Sequence, residues 1–420
     1  MNVLIKQARI ICSESSYHNK VMDVLIEGGV ISKIQKNINA SGIKVIDEEG
    51  LMISMGWLDM QANLCDPGFE FKEDISSGLK AAAAGGFTGV CAMSGTTPPL
   101  HNKAQIEYVI NRSANNLVDI FPVGTLSYNQ EGKDLSEMFD MQQAGAIAFG
   151  DYKNPIKDSG LVLRALQYSS NIGSFIITHC DERSLSGGGQ MNEGETSTML
   201  GLKGIPALAE EIMLQRNISV LEYAGGKLHI PTISTKGSVE LIRKAKANKL
   251  QITCGVAAHN LLLDDSALND FDTNYKVNPP LRTRKDVEAL RKALENGVID
   301  VVVSDHSPQD IESKDLEFDH ADNGIIALQT AFSTALTAVK SDNTEALVNA
   351  FSLNPRKILG LEIPVIEEGV KANLTLFTVD GKSILQEKEV ISKSKNSPFV
   401  GKPLNGKVIG VINNNKASWN

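Results

Sequence analysis

The stretch WLDMQANL, Trp57–Leu64, is a mostly apolar run that ends by presenting two carboxamides, Gln61 and Asn63, two positions apart and so on one side of a strand. Seven runs of similar texture follow it: TGVCAM (88–93), IFPVGTL (120–126), AIAFG (146–150), FIITHC (175–180), KLHIPTIS (227–234), ITCGVA (252–257) and VVVSDHS (301–307). Helical stretches such as LVLRALQYSSN (161–171) and VELIRKAKANK (239–249) lie between them. Near-continuous apolar strands must be covered on both faces, which calls for parallel strands with helices outside. Eight such units predict an α/β fold, a (β/α)8 TIM-like barrel; a doubly wound open sheet is the alternative architecture.

The flanks have a different texture. VLIKQARII (3–11) and DVLIEGGVISKI (23–34) alternate and are broken by Glu27-Gly28-Gly29, as in a small antiparallel sheet. KANLTLFTV (371–379) and GKVIGVI (406–412) repeat that pattern near the C-terminus. The expected organisation is therefore a barrel over 54–364 and a small β-sandwich domain built from residues 1–53 and 365–420.

Composition narrows the function. The chain has 420 residues, 42% hydrophobic and 22% charged, which suits an ordinary globular protein with a large core. A net charge of -9, with no Lys/Arg block, argues against a nucleic-acid partner. The start MNVLIKQARIIC carries no basic segment followed by an apolar stretch and cleavage site, and no window reaches about 18 uninterrupted apolar residues. The expectation is a cytoplasmic protein with no membrane partner. Five scattered cysteines without a C-x-x-C pair exclude a disulfide framework and a zinc knuckle.

Polar residues cluster where the strands end: Gln61 and Asn63, His179, His229, and Asp305 with His306. In barrels those ends form the functional face. Several ordered segments, GWLDMQANLCDPG, AGAIAFGDYKNPIKDSG, IITHCDERSL, LHIPTISTK, ITCGVAAHNLLLDD, YKVNPPLRTRKDVEAL, SDHSP and SKNSPFVGKPLNGKV, resemble the dihydroorotases of the amidohydrolase superfamily, of the type associated with aspartate transcarbamoylase.

That resemblance implies a barrel with one or two zinc ions that opens the dihydroorotate ring through a metal-bound hydroxide. The first strand of the family ends in Asp-x-His-x-His, and here the two histidine positions are Gln61 and Asn63. Imidazole nitrogen suits zinc, whereas a neutral amide oxygen is a poor donor. The bridging acidic position falls at Tyr152, with Asp151 beside it expected to point away, and the sixth-strand histidine position holds Thr232. Only His179 and Asp305 keep the implied ligand types, Asp305 being also the implied general base. Of the substrate-carboxylate anchors, the Arg position is Cys65, the Asn position Gly95 and a His position Gln309; Asn278 is kept as a weaker substrate-binding candidate. A thiol cannot replace a bidentate Arg clamp.

Without zinc, an attacking water keeps a pKa near 15.7 rather than about 7, a difference of roughly 12 kcal/mol. General-base help from Asp305 is worth only about 10²–10⁴-fold. His229, His259 and His306 are weaker candidates for rearranged ligation, and Cys65 for a nucleophile. The Gly-rich SLSGGGQMNEGE (184–195) lacks the lysine of a P-loop and is expected to be a flexible loop at the barrel mouth.

The expectation is a dihydroorotase-like protein of pyrimidine biosynthesis with no metal cofactor and no catalysis, homo-oligomeric, and used as a structural partner of aspartate transcarbamoylase. The alternative is an active cyclic amidohydrolase, of dihydroorotase, hydantoinase or allantoinase type, working with a reduced metal site or none.

Overall fold

In the computed structural model, which describes residues 1–339 and 344–420, one residue, Gly56, separates a strand of one sheet from the first strand of another. The first sheet holds β1 (Val3–Ile11), β2 (Val21–Glu27), β3 (Val30–Gln35), β4 (Lys44–Ile46) and β5 (Met52–Met55) from the N-terminal segment. The second begins with β6 (Trp57–Ala62) and continues through β7 (Phe87–Ala92), β8 (Asp119–Gly124), β9 (Ala148–Phe149), β10 (Ile176–Ile177), β11 (Leu228–Ile230), β12 (Ile252–Ala257) and β13 (Val301–Val303). The chain then returns to the first sheet with β14 (Leu374–Ile384), β15 (Pro403–Asn413) and β16 (Lys416–Trp419).

All eight apolar runs are strands of the second sheet, paired parallel in sequence order from β6 to β13. A parallel bridge between Ala62 and His306 joins the two ends, and the Asn63 amide donates to the His306 carbonyl at 2.8 Å. Helices occupy the crossovers, among them α1 (Ile75–Ala84), α2 (Lys103–Arg112), α3 (Ser159–Asn171), α4 (Ala207–Ala224), α5 (Lys236–Ala247) and α6 (Arg284–Glu295). Three of these starts are set by side-chain caps in the same way: Asp74 accepts from the Ser77 amide, Thr235 from Ser238 and Thr283 from Asp286. An inner cluster of Leu58, Met60, Cys91, Val123, Ile177, Val301 and Val303 joins residues from strands all around the barrel, so its interior is packed rather than open.

The terminal sheet is one hydrogen-bonded path, β16-β15-β14-β5-β1-β2-β3, with β4 against β1. It is not purely antiparallel, as its sequence texture suggests, because β1 pairs parallel with both β4 and β5. Alternation along a strand reports a buried face but not the direction of the neighbouring strand. Trp57 fastens the two sheets together. Its ring lies 4.5 Å from Phe332, 5.3 Å from Phe377 of β14 and 5.7 Å from Phe351, and its indole nitrogen donates to Ser54 of β5 at 3.0 Å.

Candidate functional site

The site is built where β6, β9 and β13 end. Asp305 lies just past β13 with a left-handed backbone, φ 51°, and is almost wholly buried, 2% exposed. Each of its carboxylate oxygens has a nitrogen donor. Gln61 Nε2 donates to Oδ1 at 2.6 Å, and Lys153 Nζ donates to Oδ2 at 2.9 Å. The same ammonium donates to the Asn278 carbonyl at 2.6 Å. Asn278, the weaker substrate-binding candidate of the sequence, meets Lys153 through its main-chain carbonyl.

Beneath this pair, Asp59 ties β6 to β13. Its Oδ1 accepts the amides of Ser304 at 3.0 Å and Gln61 at 3.3 Å, and Oδ2 accepts the Ser304 hydroxyl. Burial pushes its carboxyl up to about 7, against the pull of those donors.

The other carboxamide is used locally. Asn63 Oδ1 accepts the Cys65 amide at 3.0 Å, which closes a turn around the left-handed Cys65, φ 60°. Tyr152 also has a left-handed backbone, φ 52°, and its ring lies against Gly95. A Cβ at position 95 would come within 2.6 Å of that ring and 3.1 Å of the Asn63 amide nitrogen. Two positions that the resemblance marks as metal ligand and carboxylate anchor are therefore filled jointly, by an aromatic ring and the space that accommodates it. Burial first, and then the Asp305 charge, push the Tyr152 phenol upward. Asp151 faces the other way, accepting the amides of Leu126 at 2.8 Å and Ser127 at 2.9 Å. Burial raises it to about 6.

His179, just past β10, is buried, and neither ring nitrogen has a hydrogen-bond partner. Burial and then the Lys153 charge bring it down to about 4, so it is neutral at pH 7. His259, in the short helix after β12, is likewise buried with both nitrogens unpartnered, and burial lowers it to about 4. The fields of Lys153 and Asp305 reach both rings, which puts them at the same barrel end. Thr232 Oγ1 and Gln61 Oε1 are also buried without partners.

The remaining candidates have structural partners. His229 sits near the strand starts, Nδ1 2.8 Å from Thr253 Oγ1, and burial lowers it to about 3. His306 Nδ1 accepts the Ala327 amide at 3.1 Å, and Nε2 faces the buried Glu73 carboxylate at 3.5 Å. Burial raises the Cys65 thiol to about 12, which leaves it a poor nucleophile. Gln309 bridges Lys72 to the Asn323 carbonyl. The Gly-rich segment, expected to be flexible, is pinned: Met191–Asn192 pairs with Gly204–Ile205, and Asn192 donates to Asp265 at 2.8 Å and accepts from Arg282 at 3.2 Å.

Sequence reasoning overlooks Lys153. Its signal is present in FGDYKNP, where a lysine lies shortly past a buried strand end, but its partner is 152 positions away in the chain. A cleft of about 780 Å³ is lined by Phe271, Gln309, Asp310, Lys314, Lys393 and neighbouring residues; Gln61, Tyr152, Lys153, His179 and Asp305 do not line it.

A family model described as dihydro-orotase-like matches residues 50–238. A dihydroorotase of Acetivibrio thermocellus is 42% identical over 410 residues, spanning 97% of this chain and 96% of its own. One from Geobacter metallireducens is also 42% identical, with the same coverage. The chain belongs to the dihydroorotase family. Among solved structures, an L-hydantoinase (dihydropyrimidinase) from Arthrobacter aurescens aligns over 99% of this chain and 95% of its own, with a TM-score of 0.85 at 22% identity. A dihydropyrimidinase from Brevibacillus agri gives 0.82 at 20%, covering 99% and 95%. These show that the fold is shared.

The residues at this family site do not fit the zinc ions that the resemblance implies. Both Asp305 oxygens face N–H donors, one of them a full positive charge, and the carboxamides at 61 and 63 are poor zinc donors. Among the described residues, no group of three or more His, Cys, Asp or Glu side chains is placed to hold a metal ion.

Proposed function

We propose that this member of the dihydroorotase family is a metal-free, non-hydrolytic barrel of pyrimidine biosynthesis that acts as a structural partner of aspartate transcarbamoylase. The observation that carries the proposal is the double engagement of Asp305. A carboxylate whose two oxygens already accept from Lys153 at 2.9 Å and from Gln61 at 2.6 Å is a poor ligand for a divalent ion. Activation of water is the step that the family chemistry needs, and general-base catalysis alone replaces only a small part of it. The replaced positions Gln61, Asn63, Tyr152 and Thr232, together with Cys65, Gly95 and Gln309 at the anchor positions, point the same way. His179, Asn278 and Asp305 are then vestiges of the ancestral site. The barrel frame is kept in full, as a structural role requires. We place the protein in the cytoplasm as a homo-oligomer that docks on the transferase.

The second reading is an active cyclic amidohydrolase. It is favoured by 42% identity to dihydroorotases along nearly the whole chain and by two neutral imidazoles, His179 and His259, beside Asp305. In that case the imidazoles would move protons at the ring nitrogen while Lys153 stabilised developing negative charge.

The test is a dihydroorotate and hydantoin hydrolysis assay on protein expressed with zinc, with its metal content measured, alongside size-exclusion of the protein mixed with the aspartate transcarbamoylase of the same cell. No turnover, no bound zinc and co-elution with the transferase are expected. Turnover abolished by Asp305→Ala would refute the proposal in favour of the second reading.

A further inference from the structure

We propose that Lys153 is the resident cation of this barrel: its ammonium, held between Asp305 and the Asn278 carbonyl, supplies from within the chain the positive charge that the family resemblance assigns to zinc. The inference deepens the metal-free part of the functional proposal and does not depend on the transferase partner.

Three observations converge on it. First, Asp305 is 2% exposed, and a carboxylate withdrawn from water requires a compensating charge. The cation that meets it is Lys153, at 2.9 Å, with its own side chain only 16% exposed. This is an interior pair rather than a surface ion pair, so solvent screens it little.

Second, the lysine is positioned by more than its charge partner. Its ammonium also binds the Asn278 carbonyl at 2.6 Å and lies 5.7 Å from the centre of the Tyr152 ring. Its own carbonyl accepts from the Arg183 guanidinium at 3.1 Å, and Arg183 in turn faces Asp181 at 3.4 Å. Three segments of the barrel rim, those after β9, β10 and β12, thus converge on one residue.

Third, the ammonium performs the geometric task of a central ion. Asp305 has a left-handed backbone, a conformation that a non-glycine residue keeps only when its surroundings hold it there. Gln61 from β6 and Lys153 from beyond β9 hold one carboxylate oxygen each, so strand ends distant in sequence are joined through a single carboxylate. The substitutions form one set. A cation at zinc-binding distance from Asp305 would repel the ammonium, and the carboxamide of Gln61 supplies the N–H donor that an unprotonated, metal-bound imidazole would not direct at that oxygen.

The experiment is a thermodynamic cycle with a metal readout on the full chain. Wild type, Lys153→Met, Asp305→Asn and the double variant are compared by thermal melting, and wild type and Lys153→Met are analysed for zinc and titrated with cobalt(II), followed by visible absorption. The expected results are a melting temperature several degrees lower in Lys153→Met, recovery of more than half of that loss in the double variant, and no zinc or cobalt bound by wild type. If Lys153→Met fails to fold, a folded double variant gives the same support. Unchanged melting of Lys153→Met, failure of the double variant to fold, or a full equivalent of metal in wild type would each overturn the inference. Hydrolysis by metal-free wild type would overturn the non-catalytic proposal alone, and the melting data would still decide the role of Lys153.

Discussion

Gly95→Ala isolates the exchange between Gly95 and Tyr152 that closes the anchor side of the site. A Cβ at position 95 would sit 2.6 Å from one ring carbon of Tyr152 and 2.9 Å from another, well inside van der Waals contact. The added Cβ has little room to shift away, because the Asn63 amide nitrogen lies 3.1 Å from it. Overpacking of this kind costs about 1–3 kcal/mol. Tyr152→Gly removes a partly buried ring, worth at most about 3–5 kcal/mol, while relieving roughly 1 kcal/mol of left-handed strain. In the double variant the clash no longer exists, so its loss should equal that of Tyr152→Gly alone. The predicted coupling is about 1–3 kcal/mol, measured by urea denaturation of all four proteins. Additivity to within roughly 0.5 kcal/mol would refute the joint filling of these two positions.

Two further outcomes test the electrostatics of burial. His229 is held at about 3 in the folded chain against about 6.5 when unfolded, so between those values the unfolded state binds the extra proton and stability falls as the pH drops. The loss approaches about 4–5 kcal/mol at the acid end; His229→Gln, which keeps a partner for Thr253, should flatten that part of the urea midpoint against pH, and an unchanged slope would count against it. Cys65, raised to about 12 by burial, should resist iodoacetamide at pH 8 in the native protein and react once the chain is unfolded. Rapid native labelling at this position, read by peptide mass, would show that the thiol is accessible and contradict its structural assignment.

The barrel was legible because its signal is local. Each of the eight runs is short, apolar and bounded by polar or turn residues, and each becomes a strand. The terminal sheet was legible as strands but not as pairings, since β1 places two parallel neighbours beside an antiparallel one. At the site, His179, Asp305 and the carboxamides at 61 and 63 could be read one by one. What they touch could not. His306 looks like a site residue beside Asp305, yet its imidazole accepts from the Ala327 amide, on a segment distant in the chain. The Gly-rich segment looks loose, yet buried Arg282 and Asn192 hold it.

By itself the sequence determined which chemistry each strand end could offer: it set Gln61, Asn63, Tyr152, Thr232 and Cys65 where the resemblance implies imidazoles, a carboxylate and a guanidinium, and it supplied the strands that carry those positions. Only the tertiary structure decided what those positions do instead. It brought Lys153 to Asp305 across 152 residues and set Tyr152 into the space left by Gly95. The physical reason is that side-chain type is a property of one position, whereas the pairing of a buried charge or the filling of a cavity depends on backbone direction. Here that direction is set by left-handed residues at 65, 152 and 305, whose conformations are held by contacts distant in the chain.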